Sequence, residues 1–173
     1  PHVTETTYNP SGTKKTETNY RGIVKEYKYD KEDRLTHVTR DGLLINKIEY
    51  DKVGNKKYQW DAKRNLTGYE YNKRNLPILV INEENSITKT SYDAMGNIES
   101  VIDPDGRETT YTYDDRNRQE TVTINGETTS TKYETNPQRI TTTNNRGYSW
   151  TKIFDGASRL TDITGPEGTV SHY

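Results

Sequence analysis

The sequence predicts an all-β protein built as a repeat array of antiparallel hairpins, with one hairpin in about 21 residues. Three observations support this prediction. An aromatic residue recurs at a nearly constant interval, turn-forming residues follow it and return half an interval later, and no segment shows the 3.6-residue periodicity of a helix.

The recurring aromatic residue sets the frame of the repeat, and we call it position 0. It is found at Tyr8, Tyr29, Tyr50, Tyr71, Tyr92, Tyr113, Tyr133 and Phe154. Every step is 21 residues except the step of 20 from Tyr113 to Tyr133. Positions 0 and −2 share one face of a strand. They hold 11 of the 14 tyrosines when Tyr173 is taken as position −2 of a following repeat. Such a row predicts aromatic contacts between neighbouring strands.

A turn is predicted directly after position 0. The strongest copies place Asp at +1 and Gly at +4, as in Asp30, Asp51 with Gly54, Asp93 with Gly96, Asp114, and Asp155. An Asp at the first position of a turn accepts a hydrogen bond from the backbone two residues on, and Gly tolerates positive φ at the last position. We therefore interpret these carboxylates as turn residues rather than as catalytic or metal-binding pairs.

A second turn is predicted half a repeat later, at +11 to +14, as in Asp103-Pro104-Asp105-Gly106. Two repeats use a tighter turn, Asp41-Gly42 and Asn125-Gly126, which is a strong hairpin signal. Eight residues instead of seven separate Gly42 from Tyr50, and the extra residue predicts a β-bulge.

Apolar residues recur on the second strand at +6 and +9, for example Leu35 and Val38. A spacing of three does not remain on one face of a regular strand. Either a bulge recurs between these positions or both faces of the sheet are partly covered, and both alternatives stay open at this point.

The composition excludes several classes of protein. Only 28% of the residues are hydrophobic and 29% are charged, with a net charge of −1. A chain this polar could be disordered, but its tyrosines and β-branched residues favour strands. Without cysteine there is no disulfide framework, thiolate zinc site or cysteine nucleophile. We expect a single array over residues 1–173, and expect it to be an excised fragment of a longer protein.

Candidate sites for chemistry are weak. His2, His37 and His172 are far apart and fall at different repeat positions, and the Asp103 phrase lacks the Glu of a calcium loop. Lys56-Lys57 and Lys73-Arg74 are basic, but acids are interspersed with them, which favours a solvated sheet face over nucleic acid binding. We predict no catalytic residue, no cofactor, no metal and no membrane span.

With Tyr-Asp at its head, Gly-Asn or Asp-Arg-Leu next and Asp-Gly halfway, the whole chain resembles the YD repeat of Rhs proteins. The same repeat occurs in bacterial wall-associated proteins, in BC components of insecticidal Tc toxins and in teneurins. The resemblance implies hairpins joined edge to edge in a continuous twisted or spiralling sheet, as part of a hollow shell. It also implies that the shell encloses a toxic C-terminal polypeptide and that the full-length protein is secreted or attached to the cell surface.

Two further partners are considered. The unpaired edges of the first and last strands predict edge-to-edge self-association. The main alternative function is a surface that binds carbohydrate or another extracellular partner, because exposed tyrosine rows can stack on sugars; tryptophan, however, occurs only at Trp60 and Trp150.

Overall fold

The computed structural model describes residues 4–135, 138–168 and 170–173. The chain divides into two compact units, Pro1–Thr88 and Lys89–Tyr173. Within these described ranges both units consist of β-strands and turns without a helix, so the all-β prediction is confirmed. The division falls inside a strand, Ile87–Tyr92, and the single array over residues 1–173 stays a prediction.

The first unit is an antiparallel meander in which successive strands pair in chain order. Its strands are β1 (Glu5–Tyr8), β2 (Lys14–Thr18), β3 (Val24–Tyr29), β4 (Leu35–Arg40), β5 (Leu43–Tyr50), β6 (Lys56–Asp61), β7 (Leu66–Tyr71) and β8 (Pro77–Ile81), followed by the start of β9 (Ile87–Tyr92).

The second unit repeats this arrangement, beginning with the pairing of residues 89–92 of β9 with β10. Each later strand again pairs with the next along the chain. The strands are β10 (Ile98–Ile102), β11 (Glu108–Tyr113), β12 (Gln119–Ile124), β13 (Glu127–Thr135), β14 (Gln138–Thr143), β15 (Ser149–Phe154), β16 (Leu160–Thr164) and β17 (Val170–His172).

A β-bulge recurs at position +7, between the apolar positions +6 and +9. It favours the recurring bulge over a sheet covered on both faces as the explanation of their spacing. Tyr29 lies opposite Leu35, whereas Tyr27 lies opposite Val38, so the pairing shifts by one residue at Thr36. Residues opposite each other in an antiparallel pair share a face. Positions +6 and +9 therefore both lie on the face of the aromatic row. Equivalent shifts occur at Lys15, Lys57, Ile78, Glu99, Glu120 and Thr161.

The repeat of Tyr133 is different, because β13 and β14 pair without a shift and Tyr133 lies opposite Ile140. The strand continues past position 0 as far as Thr135. Asn136 and Pro137, where the sequence places the displaced turn, lie outside the described residues.

The two tight turns account for the variation in repeat length. Asp41 and Gly42 both have positive φ, of 49° and 79°, which the primed hairpin turns require. After this turn Val38 pairs with Asn46 but Thr39 pairs with Leu44. The predicted bulge is therefore confirmed. The Asn125-Gly126 turn is followed by regular pairing of β12 with β13, and its repeat is one residue shorter.

Burial is slight and lies on the aromatic face. Among the described hydrophobic residues only Val38 and Ile48 are buried, with 8% and 5% exposure, and they occupy positions +9 and −2. The opposite face carries hydroxyl pairs across the strands, at Thr7–Thr16, Ser91–Ser100 and Thr112–Thr121. Cross-strand pairs rather than a deep core therefore stabilise these hairpins.

Candidate functional site

The first turn of each repeat is organised by the side chain at +1. In the repeat of Tyr29, Asp30 Oδ1 accepts hydrogen bonds of 3.0 Å from the backbone N–H groups of Glu32 and Arg34. The backbone N–H of Asp30 donates to the carbonyl of Arg34, and that of Asp33 donates to the carbonyl of Asp30. Asp33, at +4, has a φ of 56°. The carboxylate thus closes the turn.

Equivalent bonds recur in ten other turns. Side-chain oxygens accept backbone bonds at Asp51, Asn72, Asp93, Asp114 and Asp155 in the first turns, and at Asn19, Asp61, Asn82, Asp103 and Asn144 in the second turns. Gly54 and Gly96 have φ values of 100° and 98°, a region that glycine enters without steric cost. Asn19, Asn72, Asn82 and Asn144 show that a neutral amide oxygen accepts these bonds as well as a carboxylate does.

These bonds hold the carboxylates in the ionised state. The side-chain amide of Asn97, together with the backbone N–H groups of Asn97 and Gly96, holds the pKa of Asp93 below its ordinary value. The guanidinium groups of Arg34 and Arg118 lower the pKa of Asp30 and Asp114 in the same way. A general acid needs a raised pKa, so these carboxylates are suited to structure rather than to proton transfer.

The side chain at +5 binds its own turn and also reaches the next repeat. The Asn55 amide donates to Asp51 Oδ2 at 3.1 Å and to Asn75 Oδ1 at 3.0 Å. Asn75 occupies +4 of the following repeat. In the second unit Asn97 donates in the same manner to Asn117, and Gln138 accepts a bond of 3.2 Å from Ser158.

Arginine at +5 makes a different contact with the next repeat. Arg34 Nε donates to Asp30 Oδ2 at 2.7 Å, while its guanidinium carbon lies 4.7 Å from the ring centre of Tyr50. Arg118 lies 4.1 Å from the ring centre of Tyr133. Such cation–π contacts contribute about 0.5–1 kcal/mol at exposed sites.

The tyrosine at position 0 also binds back to the preceding repeat. The hydroxyl of Tyr50 donates to the carbonyl of Leu35 at 2.9 Å. Tyr113 and Tyr133 donate likewise, at 3.0 Å, to Ile98 and Gln119. We use the term inter-repeat ladder for these contacts, which join +5 and +6 of one repeat to 0 and +4 of the next.

The predicted signature residues are not brought together in one pocket. They occupy equivalent places along each meander, at the strand ends and first turns, and Tyr8 at the end of β1 is 61% exposed. The structural role of position +5 was not predicted from the sequence. Its signal was present in the recurrence of Arg34, Asn55, Asn97 and Arg118 immediately before the +6 residue.

The weaker candidates have structural partners. Arg107 donates hydrogen bonds to Asp103 and Asp105, each at 2.7 Å. The two carboxylates of the Asp103-Pro104-Asp105-Gly106 turn, considered above as a calcium loop, are therefore paired with an arginine. The side chain of His37 is hydrogen-bonded to Thr36, and that of His172 to Asp162. His2 lies outside the described residues. Throughout the described ranges there is no cluster of three or more metal-ligating side chains and no helix that could cross a membrane.

Comparison with known proteins identifies relatives of this fold. A sequence model of the Teneurin YD-shell family matches residues 41–173. Comparison with curated protein sequences finds no match. The crystal structure of TcdB2-TccC3-Cdc42 is similar to 94% of the chain, with a TM-score of 0.70 and 15% identity.

Two further solved structures align over 99% of the chain, each with a TM-score of 0.62. They are the Photorhabdus luminescens Tc holotoxin pore, at 18% identity, and TcdB2-TccC3, at 19%. The aligned region spans only 12%, 9% and 10% of the three matched chains, respectively. At these identities the likeness shows a shared fold.

Proposed function

The chain belongs to the Teneurin YD-shell family, and on that premise we propose that it is wall material of a hollow shell enclosing a toxic polypeptide region of the same longer protein. The inter-repeat ladder is the observation that carries this proposal. Within each unit it binds hairpins to their neighbours through equivalent positions, as between the repeats of Tyr29 and Tyr50 and those of Tyr92 and Tyr113, so a wall can be extended by adding repeats whose energies sum.

The remaining expectations extend the proposal. We propose that residues 1–173 form one array and that the signature residues stabilise its wall. We assign the chain no catalytic step. Its partners are neighbouring repeats and the enclosed region, with self-association at free strand edges and no role for nucleic acid. A secreted or cell-surface location follows from the family relationship.

The enclosure is tested on the longest native polypeptide that contains these residues. Cryo-electron microscopy should place strands β1–β17 in a wall that surrounds additional polypeptide density, and a protease should spare that density until the wall is unfolded. An array with solvent on both faces, or an enclosed region cleaved as fast as in the denatured protein, would overturn the proposal.

Carbohydrate binding remains a second candidate, although it rests on different aromatic residues from those first expected. The rings of Tyr50 and Tyr133 face arginines, whereas Tyr148 and Trp150 are 52% and 42% exposed. Both line a shallow cleft with Pro166 and Glu167. Glycan-array binding that is lost in Trp150→Ala but retained in Trp60→Ala would support this candidate; the absence of array binding would reject it.

A further inference from the structure

A groove of about 730 Å³ lies between the first two repeats. It opens beside the start of β2 and the end of β3, at their first turns. Ser11 and Thr13 of the first repeat and Tyr29 and Asp33 of the second are among the residues that line it.

The groove lies where the inter-repeat ladder lacks its connecting side chain. Thr13 occupies +5, and Asp33 occupies +4 of the next repeat. The Thr13 hydroxyl is already hydrogen-bonded to Asn9 and Ser11, each at 3.0 Å, and the threonine side chain is shorter than the Arg, Asn and Gln side chains that make the contact in other repeats. No hydrogen bond or ion pair of the Asp33 carboxylate is present among the residues the structure describes.

The other repeats show which chemical group suits this place. Arg34 stacks over Tyr50 and Arg118 over Tyr133, and Tyr29 is the equivalent ring beside the groove. Asparagine at +4 accepts a hydrogen bond at Asn75 and Asn117, and Asp33 is the equivalent acceptor with a negative charge. We propose that the groove binds the guanidinium group of an arginine side chain from another polypeptide segment.

The other charged residues around the groove are compatible with this ligand. Asp30 is paired with Arg34 at 2.7 Å. Glu26 and Lys28 also line the groove, but they alternate with Tyr27 and Tyr29 in β3 and point to the opposite face. Asp33 is therefore the acid beside Tyr29 that has no partner among the described residues, and the positive charge of Lys15, which also lines the groove, opposes an arginine ligand only in part. A planar guanidinium can stack on the ring and donate to the carboxylate together, which an ammonium does less well.

Titration of the full 173-residue chain with N-acetyl-arginine amide, followed by ¹⁵N nuclear magnetic resonance, tests the proposal. We expect saturable chemical-shift changes at Tyr29 and Asp33. The citrulline analogue, which lacks the positive charge, should bind about tenfold more weakly, a difference of about 1.4 kcal/mol. N-acetyl-lysine amide should also bind more weakly. Absence of saturable shifts, or equal binding of the citrulline analogue, would overturn the assignment.

Variants localise the effect. Asp33→Asn should weaken arginine binding about tenfold and should fold, because Asn75 and Asn117 occupy +4 with φ values of 59° and 65°. Asp115→Asn, at another exposed turn, should leave binding unchanged. Thr13→Arg should fill the groove from within, abolish binding and raise the Tm. Unaltered binding in Asp33→Asn, or equal weakening in Asp115→Asn, would show that the groove does not recognise arginine.

Discussion

The side-chain amide of Asn55 donates a hydrogen bond to Oδ1 of Asn75, which lies 20 residues further along the chain and in the next repeat. The same amide also donates to Asp51 in its own turn. One side chain therefore connects two hairpins whose turns are far apart in sequence. Its contribution to stability can be separated from that of the turn.

Asn55→Ala should destabilise the first unit by about 1–2 kcal/mol, because a typical hydrogen bond contributes about 0.5–1.5 kcal/mol and two are lost, one half-buried and one exposed. Asn65→Ala is the matched control, since Asn65 makes the equivalent bond to Asp61 but lies in a second turn. Urea denaturation should show a loss smaller by about half in the control. Equal losses would mean that the contact with Asn75 contributes nothing.

Arg118→Leu should lower the Tm by about 1–3 °C more than Arg159→Leu. Both arginines pair with the Asp at +1 of their own turn. Arg118 also stacks on Tyr133, whereas the Arg159 side chain is 80% exposed and stacks on no ring among the described residues. Calorimetry that gives the same Tm loss for both variants would contradict a stabilising stack.

Acid should destabilise the protein through its turn carboxylates. The pKa values of Asp30, Asp93 and Asp114 in the folded chain lie below the ordinary value of 3.8. Their contribution is therefore complete above about pH 5 and is lost as the pH falls through the folded pKa values. The urea concentration at the unfolding midpoint, measured from pH 7 to pH 2, should stay constant down to about pH 5 and decrease below it.

The acid response has an internal control. Asn takes the place of Asp at +1 in the turn of Asn72, where it accepts the same backbone bonds. Asp93→Asn should consequently fold and show a shallower decline in stability at low pH. A decline as steep as that of the unmodified chain would assign the acid sensitivity to other groups.

Tyr27 should titrate abnormally in alkali. Burial, followed by the hydrogen bond of 2.8 Å that it donates to Glu17, raises its pKa from 10.0 to about 12. The associated stability is present below about pH 10 and is lost between about pH 10 and pH 12. Tyrosine ring resonances should include one that moves near pH 12 and is missing from Tyr27→Phe.

Glu17→Gln separates the two causes of this shift. Removing the carboxylate should lower the pKa of Tyr27 but leave it above 10.0, because burial is the larger cause. Tyr20→Phe, at an exposed ring, should leave the resonance near pH 12 in place. A Tyr27 pKa that does not respond to Glu17→Gln would show that the negative charge of Glu17 is unimportant for it.

The fold was predictable from sequence because its local rules repeat. Tyr-Asp phrases at a constant interval identify the turns without any knowledge of distant contacts, and Asp41-Gly42 identifies both a tight turn and its compensating bulge. The sequence did not determine whether the strand has a bulge at Thr36. A spacing of three between Leu35 and Val38 fits a bulged strand and a strand covered on both faces equally well.

The inter-repeat contacts could not be predicted for a different reason. They join residues 14–20 apart through side chains of different chemistry, so Arg34, Asn55 and Gln138 do not form a recognisable motif although they occupy one position. Which residue they contact depends on the offset between neighbouring hairpins. That offset is a property of strand pairing rather than of the local sequence.

The bulge at +7 has a consequence for how such a protein can evolve. By shifting the side-chain alternation once in a hairpin, it keeps the aromatic residue and its apolar partners together within that hairpin. Gain or loss of a whole repeat by duplication or deletion therefore leaves the orientation of the other repeats unchanged. Insertion of a single residue within a strand would instead turn the remainder of that strand over, so lineages should vary in whole repeats and in turn lengths.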